Sequence, residues 1–122
     1  MPEPPREREE PERTLLSGWG RTSPTAARWL HPTADDEVAR SLARTGERGT
    51  ISRGLGRSYG DAAQNAGGDV LDLTGVRGIR AVDLDHGIVT AYAGTSLDEL
   101  MHRLVPMGWF VPVTPKAFSN AM

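Results

Sequence analysis

A chain of 122 residues can form one domain with a real core, but it is too short to enclose a large cofactor on every side. It contains no cysteine, which excludes disulfides, thiolate metal sites and cysteine nucleophiles. The formal net charge of −2 arises within the first thirteen residues, so the rest of the chain has no clustered positive field of the kind that binds nucleic acid or membrane surfaces.

The N-terminal segment, residues 1–14, is predicted to be a disordered, charged leader. Its prolines and charges leave almost no apolar side chain to bury, so folding cannot offset its ordering entropy. It does not resemble an apolar signal peptide, and no run approaches the roughly 18 apolar residues of a transmembrane helix. We therefore predict a cytoplasmic protein without a transmembrane segment, while peripheral association with a membrane stays open.

Ordered structure is predicted to begin at Thr14. Residues 18–22 follow as a turn that places Trp19 beside Arg21. Trp19 is interpreted either as an anchor of the core or of a lid, or as an aromatic side chain near a ligand. Residues 23–30 are compatible with a short helix that has proline at its first position, and equally with an extended segment.

A helix is predicted next, with Thr33 as its N-cap. The acidic residues 35–37 complement the helix dipole at its start, and Gly46 is expected to end it. Residues 49–52 and 69–73 have the composition of short strands, and they flank the most glycine-rich stretch of the chain.

The C-terminal part is predicted to contain a hairpin and a helix. Residues 79–83 and 88–93 form the expected antiparallel pair. A capping box at Ser96 predicts the start of an amphipathic helix, which Pro106 ends. The apolar residues 109–113 are then predicted to be a buried extended segment.

Residues 53–61, called the glycine loop below, are the most informative stretch of the sequence. They carry three glycines and two arginines directly behind a predicted strand. Glycine lets amide N–H groups approach an anion closely, and arginine presents a charged fork that matches phosphate oxygens. We therefore predict that the loop binds a phosphate group. An ordinary glycine-rich connection between two strands is the alternative.

The spacing of the loop excludes two common nucleotide sites. Gly-x-Gly-x-x-x-Gly is one residue longer than the dinucleotide fingerprint, and no long apolar helix follows it. Lys116 is the only lysine of the chain, which excludes a Walker loop. His31, His86 and His102 have no recognisable partner, and neither a catalytic residue nor a metal site is predicted. Composition and periodicity indicate an α+β body with one phosphate loop.

Three motifs in order resemble the N-terminal lobe of FAD-binding oxidoreductases of the vanillyl-alcohol-oxidase type, whose flavin domain is called PCMH-type. They are GWGRT at residues 18–22, RGLGRSYGDAAQN at 53–65 and WFVPVTP at 109–115. The resemblance implies a small sheet with flanking helices, with the second lobe of the domain absent. It divides the chain into the leader 1–14, a partial FAD-binding domain at 15–115 and a divergent tail at 116–122.

The resemblance also implies a binding mode. In this family the corresponding loop wraps the FAD pyrophosphate, mainly through backbone amides, and Trp19 and Arg21 are weaker candidates near the site. Several relatives attach FAD through a histidine in this turn, where the present sequence has Tyr59, so non-covalent FAD is implied. The implied cofactor-binding residues are Ser52, Arg53, Gly54, Leu55, Gly56, Arg57, Ser58, Tyr59, Gly60, Asp61 and Ala62.

The branch of the family with the most similar motifs oxidises a secondary alcohol of a lipid-linked ribose on the way to cell-wall arabinan. The resemblance therefore implies an FAD-dependent sugar oxidoreductase, with FAD and a lipid-linked sugar as partners of the intact enzyme and no nucleic acid. After Pro115 the sequence departs from the family pattern. The alternatives are a truncated, inactive remnant that associates through exposed apolar surface, and a simple phosphate- or nucleotide-binding module.

Overall fold

The computed structural model describes residues 12–113, which form two sheets and two α-helices. The elements in chain order are β1 (Thr14–Leu16), β2 (Thr25–Leu30), α1 (Asp35–Ala43), β3 (Thr50–Arg53), β4 (Asp69–Asp72), β5 (Ile79–Asp83), β6 (Ile88–Ala91) and α2 (Leu97–Leu104). Short 3-10 turns follow β4 at Leu73–Gly75 and α2 at Val105–Met107. This small mixed arrangement confirms the predicted α+β fold class.

The first part of the chain forms a four-stranded sheet in the order β1-β2-β4-β3. β1 runs antiparallel to β2, whereas β2 and β3 both run parallel to β4 between them. β2 also decides between the helix and the strand that the sequence left open for residues 23–30. Parallel neighbours require long crossovers. α1 lies in the first crossover, and residues 54–68, which contain neither helix nor strand, form the second.

The core of the sheet lies on one face. Leu16, Ala27 and Val70 are buried against one another, and Trp29 and Ile51 pack on them. The register places Trp29 and Ile51 opposite Val70 on its two sides, so all four strands contribute to one apolar layer.

The two crossovers cover opposite faces of the sheet. Arg53 lies two residues after the core residue Ile51, on the same face, and its guanidinium donates to a carbonyl within residues 54–68. Arg28 and Leu30 belong to the other face, where they line a cleft together with α1. This division is what right-handed crossovers running in opposite directions require. The glycine loop therefore belongs to the segment that crosses the core face of the sheet.

An ion pair joins the two central strands, β2 and β4, at the first pair of their register. Arg28 Nε donates to Asp69 Oδ1 at 2.9 Å, and Arg28 Nη2 donates to Asp69 Oδ2 at 2.5 Å. The two residues are also register partners. The hydrogen bonds that Arg28 donates to the Asp69 carboxylate raise the pKa of Arg28 above its ordinary value. This two-pronged contact helps to set the alignment of the parallel pair.

The second part of the chain contains the predicted hairpin and helix. β5 and β6 pair with each other as a separate two-stranded sheet, and α2 follows. Ser96 Oγ accepts a hydrogen bond from Glu99 N at 3.1 Å, as expected for the N-terminal half of a capping box. Gly108 ends the segment with a φ of 83°.

Residues 109–113 are not the buried extended segment that their apolar sequence predicts. Trp109 is 41% exposed, Phe110 64% and Val113 73%. The prediction is wrong because the segment finds a partner on one side only. It lines a groove with the β5–β6 hairpin and the end of α2, and no other element within residues 12–113 covers its remaining surface.

The start of α1 also differs from the prediction. Its N-cap is Ala34, which has no side-chain acceptor, and not Thr33. The Glu37 carboxylate accepts a hydrogen bond from Thr33 N at 2.7 Å, which joins the residue before the N-cap to the first turn of the helix. The helix ends at Ala43, before the predicted stop at Gly46.

The predicted domain boundaries lie partly within the described residues. β1 begins at Thr14, so the last residue of the predicted leader belongs to the sheet. Residues 1–11 of that leader and the predicted tail at 116–122 lie outside the described residues. Between residues 12 and 113, no helix combines the length and the apolar character needed to cross a membrane.

Candidate functional site

The glycine loop leaves the sheet at the carboxyl end of β3. The parallel strands β2 and β4 end beside it, because Arg53 is opposite Asp72 and Leu30 is opposite Leu71. In open sheets with parallel strands, ligands bind in the crevice outside these carboxyl ends. The loop thus begins where this kind of sheet ordinarily holds a ligand.

The amide N–H groups of residues 54–61 have no protein acceptor. None of them donates a hydrogen bond to any residue between 12 and 113. Gly56 has a φ of 70°, in the left-handed region that glycine adopts without penalty. Left-handed residues are a component of the concave N–H arrangements that bind anions. Within residues 12–113 the loop backbone therefore keeps N–H donors that are available to a ligand.

The turn after β1 packs directly on the glycine loop. Trp19 N donates to Ser58 O at 2.8 Å. A Cβ on Gly18 would overlap the carbonyl oxygen of Ser58, and one on Gly20 would overlap that of Tyr59. Only glycine fits at these two positions because the two backbones approach so closely. Two of the sequence motifs that lie far apart in the chain thus form one unit.

Two exposed aromatic residues stand at this junction. The rings of Trp19 and Tyr59 meet edge to face, with centroids 5.2 Å apart and an interplanar angle of 86°. They are 54% and 61% exposed, which excludes the interpretation of Trp19 as a core anchor. Arg21 lies in the same turn with a φ of 51° and is also exposed.

The two arginines of the loop have different environments. Arg53 donates from Nη1 to Ala63 O at 3.1 Å and from Nη2 to Ser17 O at 2.6 Å. Arg57 forms no side-chain hydrogen bond or ion pair with residues 12–113. The sequence predicts both side chains as phosphate ligands. In the structure the Arg53 guanidinium already donates to two backbone carbonyl groups, whereas the Arg57 guanidinium donates to no group within residues 12–113.

The remaining predicted site residues follow the surface of the loop. Most are exposed, and Gly56 and Arg57 are half-buried. The exposed ones are Ser52, Gly54, Leu55, Ser58, Tyr59, Gly60, Asp61 and Ala62. The structure brings the Gly54–Gly60 backbone and the Trp19 turn together, so a ligand on the loop would contact both.

Two amide side chains that sequence reasoning left without a role anchor the end of the crossover. Gln64 Nε2 donates to Leu16 O at 2.8 Å. Asn65 Nδ2 donates to Gly49 O at 3.1 Å and to Asp69 O at 3.2 Å. The sequence feature that could have indicated this role is the pair of adjacent amide side chains at the end of a crossover without a helix. In such a segment side chains must supply the hydrogen bonds that regular secondary structure would provide.

Comparison with known proteins identifies the family of the chain. Residues 26–122 match the family described as FAD binding domain. The chain belongs to this family. Over 103 residues it is also 47% identical to the decaprenylphosphoryl-beta-D-ribose oxidase of Mycolicibacterium smegmatis (strain ATCC 700084 / mc(2)155), an alignment that covers 82% of this chain. The chain spans 22% of the length of that relative.

Family membership makes FAD the cofactor of this domain. The resemblance to PCMH-type flavoproteins is thereby confirmed. The free loop amides fit such a cofactor, because the pyrophosphate of FAD is an anion that backbone N–H groups bind well.

Proposed function

We propose that the glycine loop holds the pyrophosphate of FAD, mainly through backbone amides. The observation that carries the proposal is the run of N–H groups at residues 54–61 that have no acceptor within residues 12–113, located at the carboxyl end of β3. Arg57, whose guanidinium has no partner among residues 12–113, adds a charged donor. The residues proposed to form the site are Ser52, Arg53, Gly54, Leu55, Gly56, Arg57, Ser58, Tyr59, Gly60, Asp61 and Ala62. Arg53 belongs to it through its backbone, because its guanidinium already donates to two carbonyl groups.

FAD is proposed to bind without a covalent bond. The sequence has Tyr59 where related flavoproteins carry a histidine that attaches the flavin. The histidines of the chain, His31, His86 and His102, lie outside the glycine loop. Denaturation should therefore release all of the flavin, which then passes through an ultrafiltration membrane that retains the unfolded chain. Flavin that stays with the unfolded chain would contradict this proposal.

We further propose that residues 15–115 serve as the FAD-binding part of an enzyme that oxidises a secondary alcohol of a lipid-linked ribose. The name of the 47% identical relative supports this substrate class. FAD supplies the hydride acceptor when it is bound. The residues of this chain would bind and orient the cofactor, and none of them is proposed to transfer a proton.

Titration calorimetry of the chain with FAD, ADP, FMN and inorganic phosphate tests the loop assignment. FAD and ADP share a pyrophosphate and are expected to bind, while FMN and phosphate bind at least tenfold more weakly. Similar affinities for all four ligands would favour a simple phosphate-binding module. If the folded chain binds neither FAD nor ADP, the proposed function is wrong for this chain.

Substitution of Arg57 provides a second arm. Arg57→Met removes a charged donor at the loop and is expected to raise the Kd for FAD about tenfold. The matched control is Arg80→Met, which also removes one arginine charge. Arg80 belongs to the hairpin, where its guanidinium lies over the Tyr92 ring, 5.2 Å from the ring centroid, and not to the glycine loop. This control should leave the Kd unchanged. Equal effects of the two substitutions would exclude a specific role for Arg57.

A further inference from the structure

The Arg53 side chain connects three segments that are separate in sequence. It starts in β3, and its guanidinium reaches Ser17 O at 2.6 Å, just before the Trp19 turn. The same group reaches Ala63 O at 3.1 Å, near the end of the glycine-rich crossover. One side chain thus links the strand before the loop, the turn that packs on the loop and the segment that follows it.

The loop is shaped around this guanidinium. A Cβ on Gly56 would collide with Arg53 Nη2, so the absence of a side chain at the middle of the loop makes room for the arginine. Gly56 also has a φ of 70°. A planar fork can donate in two directions at once, whereas an ammonium group is a single point donor. The geometry therefore depends on arginine and not only on positive charge.

The charge of Arg53 is not neutralised by a carboxylate. Both acceptors are neutral carbonyl groups, and Arg53 takes part in none of the ion pairs formed within residues 12–113. By contrast, Arg28 in the same sheet is paired with Asp69. A half-buried guanidinium that donates hydrogen bonds to two backbone segments holds these segments together.

We propose that Arg53 is a positioning residue that gives the glycine loop its binding shape. It locks the loop to the Trp19 turn and acts on the cofactor through the loop backbone, while Arg57 acts as a direct ligand. This inference rests on the proposed function of the loop. Removing the fork should therefore loosen the contact between loop and turn and weaken FAD binding, even when a positive charge is kept.

The test compares Arg53→Met, Arg53→Lys and Arg57→Met in the full chain. The first readout, measured without ligand, is hydrogen exchange of two backbone amides by NMR. The Trp19 amide donates to Ser58 O across the proposed tie, and the Tyr92 amide donates to Gly78 O in the hairpin at 3.0 Å and is the internal reference. The second readout is the Kd for FAD.

Arg53→Met and Arg53→Lys are both expected to speed exchange of the Trp19 amide about tenfold or more, with the Tyr92 amide unchanged, and to raise the Kd for FAD about tenfold. Arg57→Met should raise the Kd without changing Trp19 exchange. If exchange at both amides rises in Arg53→Met, that variant has unfolded globally, and Arg53→Lys decides.

Two results would overturn the inference: wild-type exchange at Trp19 in the Arg53 variants, or full recovery of both readouts by lysine. A wild-type chain that does not bind FAD would refute the proposed function instead. In that case the exchange rates alone decide whether Arg53 ties the loop to the turn.

Discussion

The two halves of the described chain solve the problem of stability differently. In the sheet half, residues 14–76, arginine and amide side chains of β3 and the crossover donate to backbone carbonyls far away in sequence and hold the crossover on a buried core. In the hairpin half, which comprises the described residues 78–113, one apolar side chain is buried, that of Leu104. Large apolar groups such as Ile88 and Phe110 are exposed there.

This difference shows how site and stability are related in each half. The crossover that carries the glycine loop also covers the core, so the same contacts shape the proposed site and stabilise the sheet. The exposed apolar groove of the hairpin half contributes little to stability, and continuous surface of this kind is typical of regions that associate with other protein. Substitutions that break these contacts in the sheet half should therefore weaken both folding and ligand binding. Substitutions of exposed residues in the hairpin half should have little effect on either.

The strongest test of this coupling is Gly20→Ala in the turn that packs on the loop. Its Cβ would overlap the Tyr59 carbonyl oxygen, so the two backbones must separate, and we expect the free energy of unfolding to fall by about 3 kcal/mol. Urea denaturation followed by circular dichroism measures the change. In the control Gly46→Ala the new Cβ meets no atom within 4 Å, and a change within about 0.5 kcal/mol is expected. Equal effects would contradict the close packing of turn and loop.

The next largest effect is expected in the core. Val70 is 0% exposed, and Val70→Ala should lower the free energy of unfolding by about 2 kcal/mol because it leaves a cavity. Ile88 is 57% exposed in the hairpin half, and Ile88→Thr should change stability by no more than about 0.5 kcal/mol. Urea midpoints at constant m compare the two. A larger loss for Ile88→Thr would mean that the hairpin half also depends on burial.

The ion pair of the sheet half should matter less than its core. Asp69→Asn replaces a buried carboxylate that accepts two bonds from Arg28, and about 1.5 kcal/mol of stability should be lost. The control is Asp36→Asn, which breaks an exposed pair with Arg40 one helical turn away at 2.9 Å and should change stability by less than about 0.5 kcal/mol. Thermal unfolding of both variants at one salt concentration distinguishes these outcomes.

The smallest effect concerns pH and the hairpin turn. Hydrogen bonds from the side chain and backbone of His86 lower the pKa of Asp83 below its ordinary value of 3.8. The charged carboxylate therefore favours the folded hairpin at higher pH, and this contribution is lost as the pH falls through the lowered pKa. NMR titration of the Asp83 carboxyl carbon measures it. The Trp19 amide should not respond, and Asp83→Asn should abolish the hairpin response. A matching response at Trp19 would show that the halves are coupled.

Local sequence patterns predicted most of the elements but not their environment. β3, β4, the β5–β6 hairpin and the capping box at Ser96 depend on residues close together in the chain, and they form close to where they are expected, whereas the sequence left β2 open between helix and strand. The burial of residues 109–113 was predicted wrongly because apolar composition does not reveal whether a second surface is present to cover them. Thr33 was misassigned as a cap because the reach of the Glu37 side chain is not visible in a propensity pattern.

The sequence alone identified the glycine loop as a candidate phosphate site, its difference from Rossmann and Walker loops and its likeness to FAD-binding domains, since glycine spacing and motif order are local properties. Only the tertiary structure decided that this loop is the crossover sealing the core, and that Gly18 and Gly20 are needed because of Ser58 and Tyr59. It also separated two arginines that look equivalent in sequence. Strand alternation puts Arg53 on the core face of β3, where its guanidinium donates to Ser17 O and Ala63 O, whereas Arg57 lies in the loop and forms no side-chain hydrogen bond or ion pair within residues 12–113.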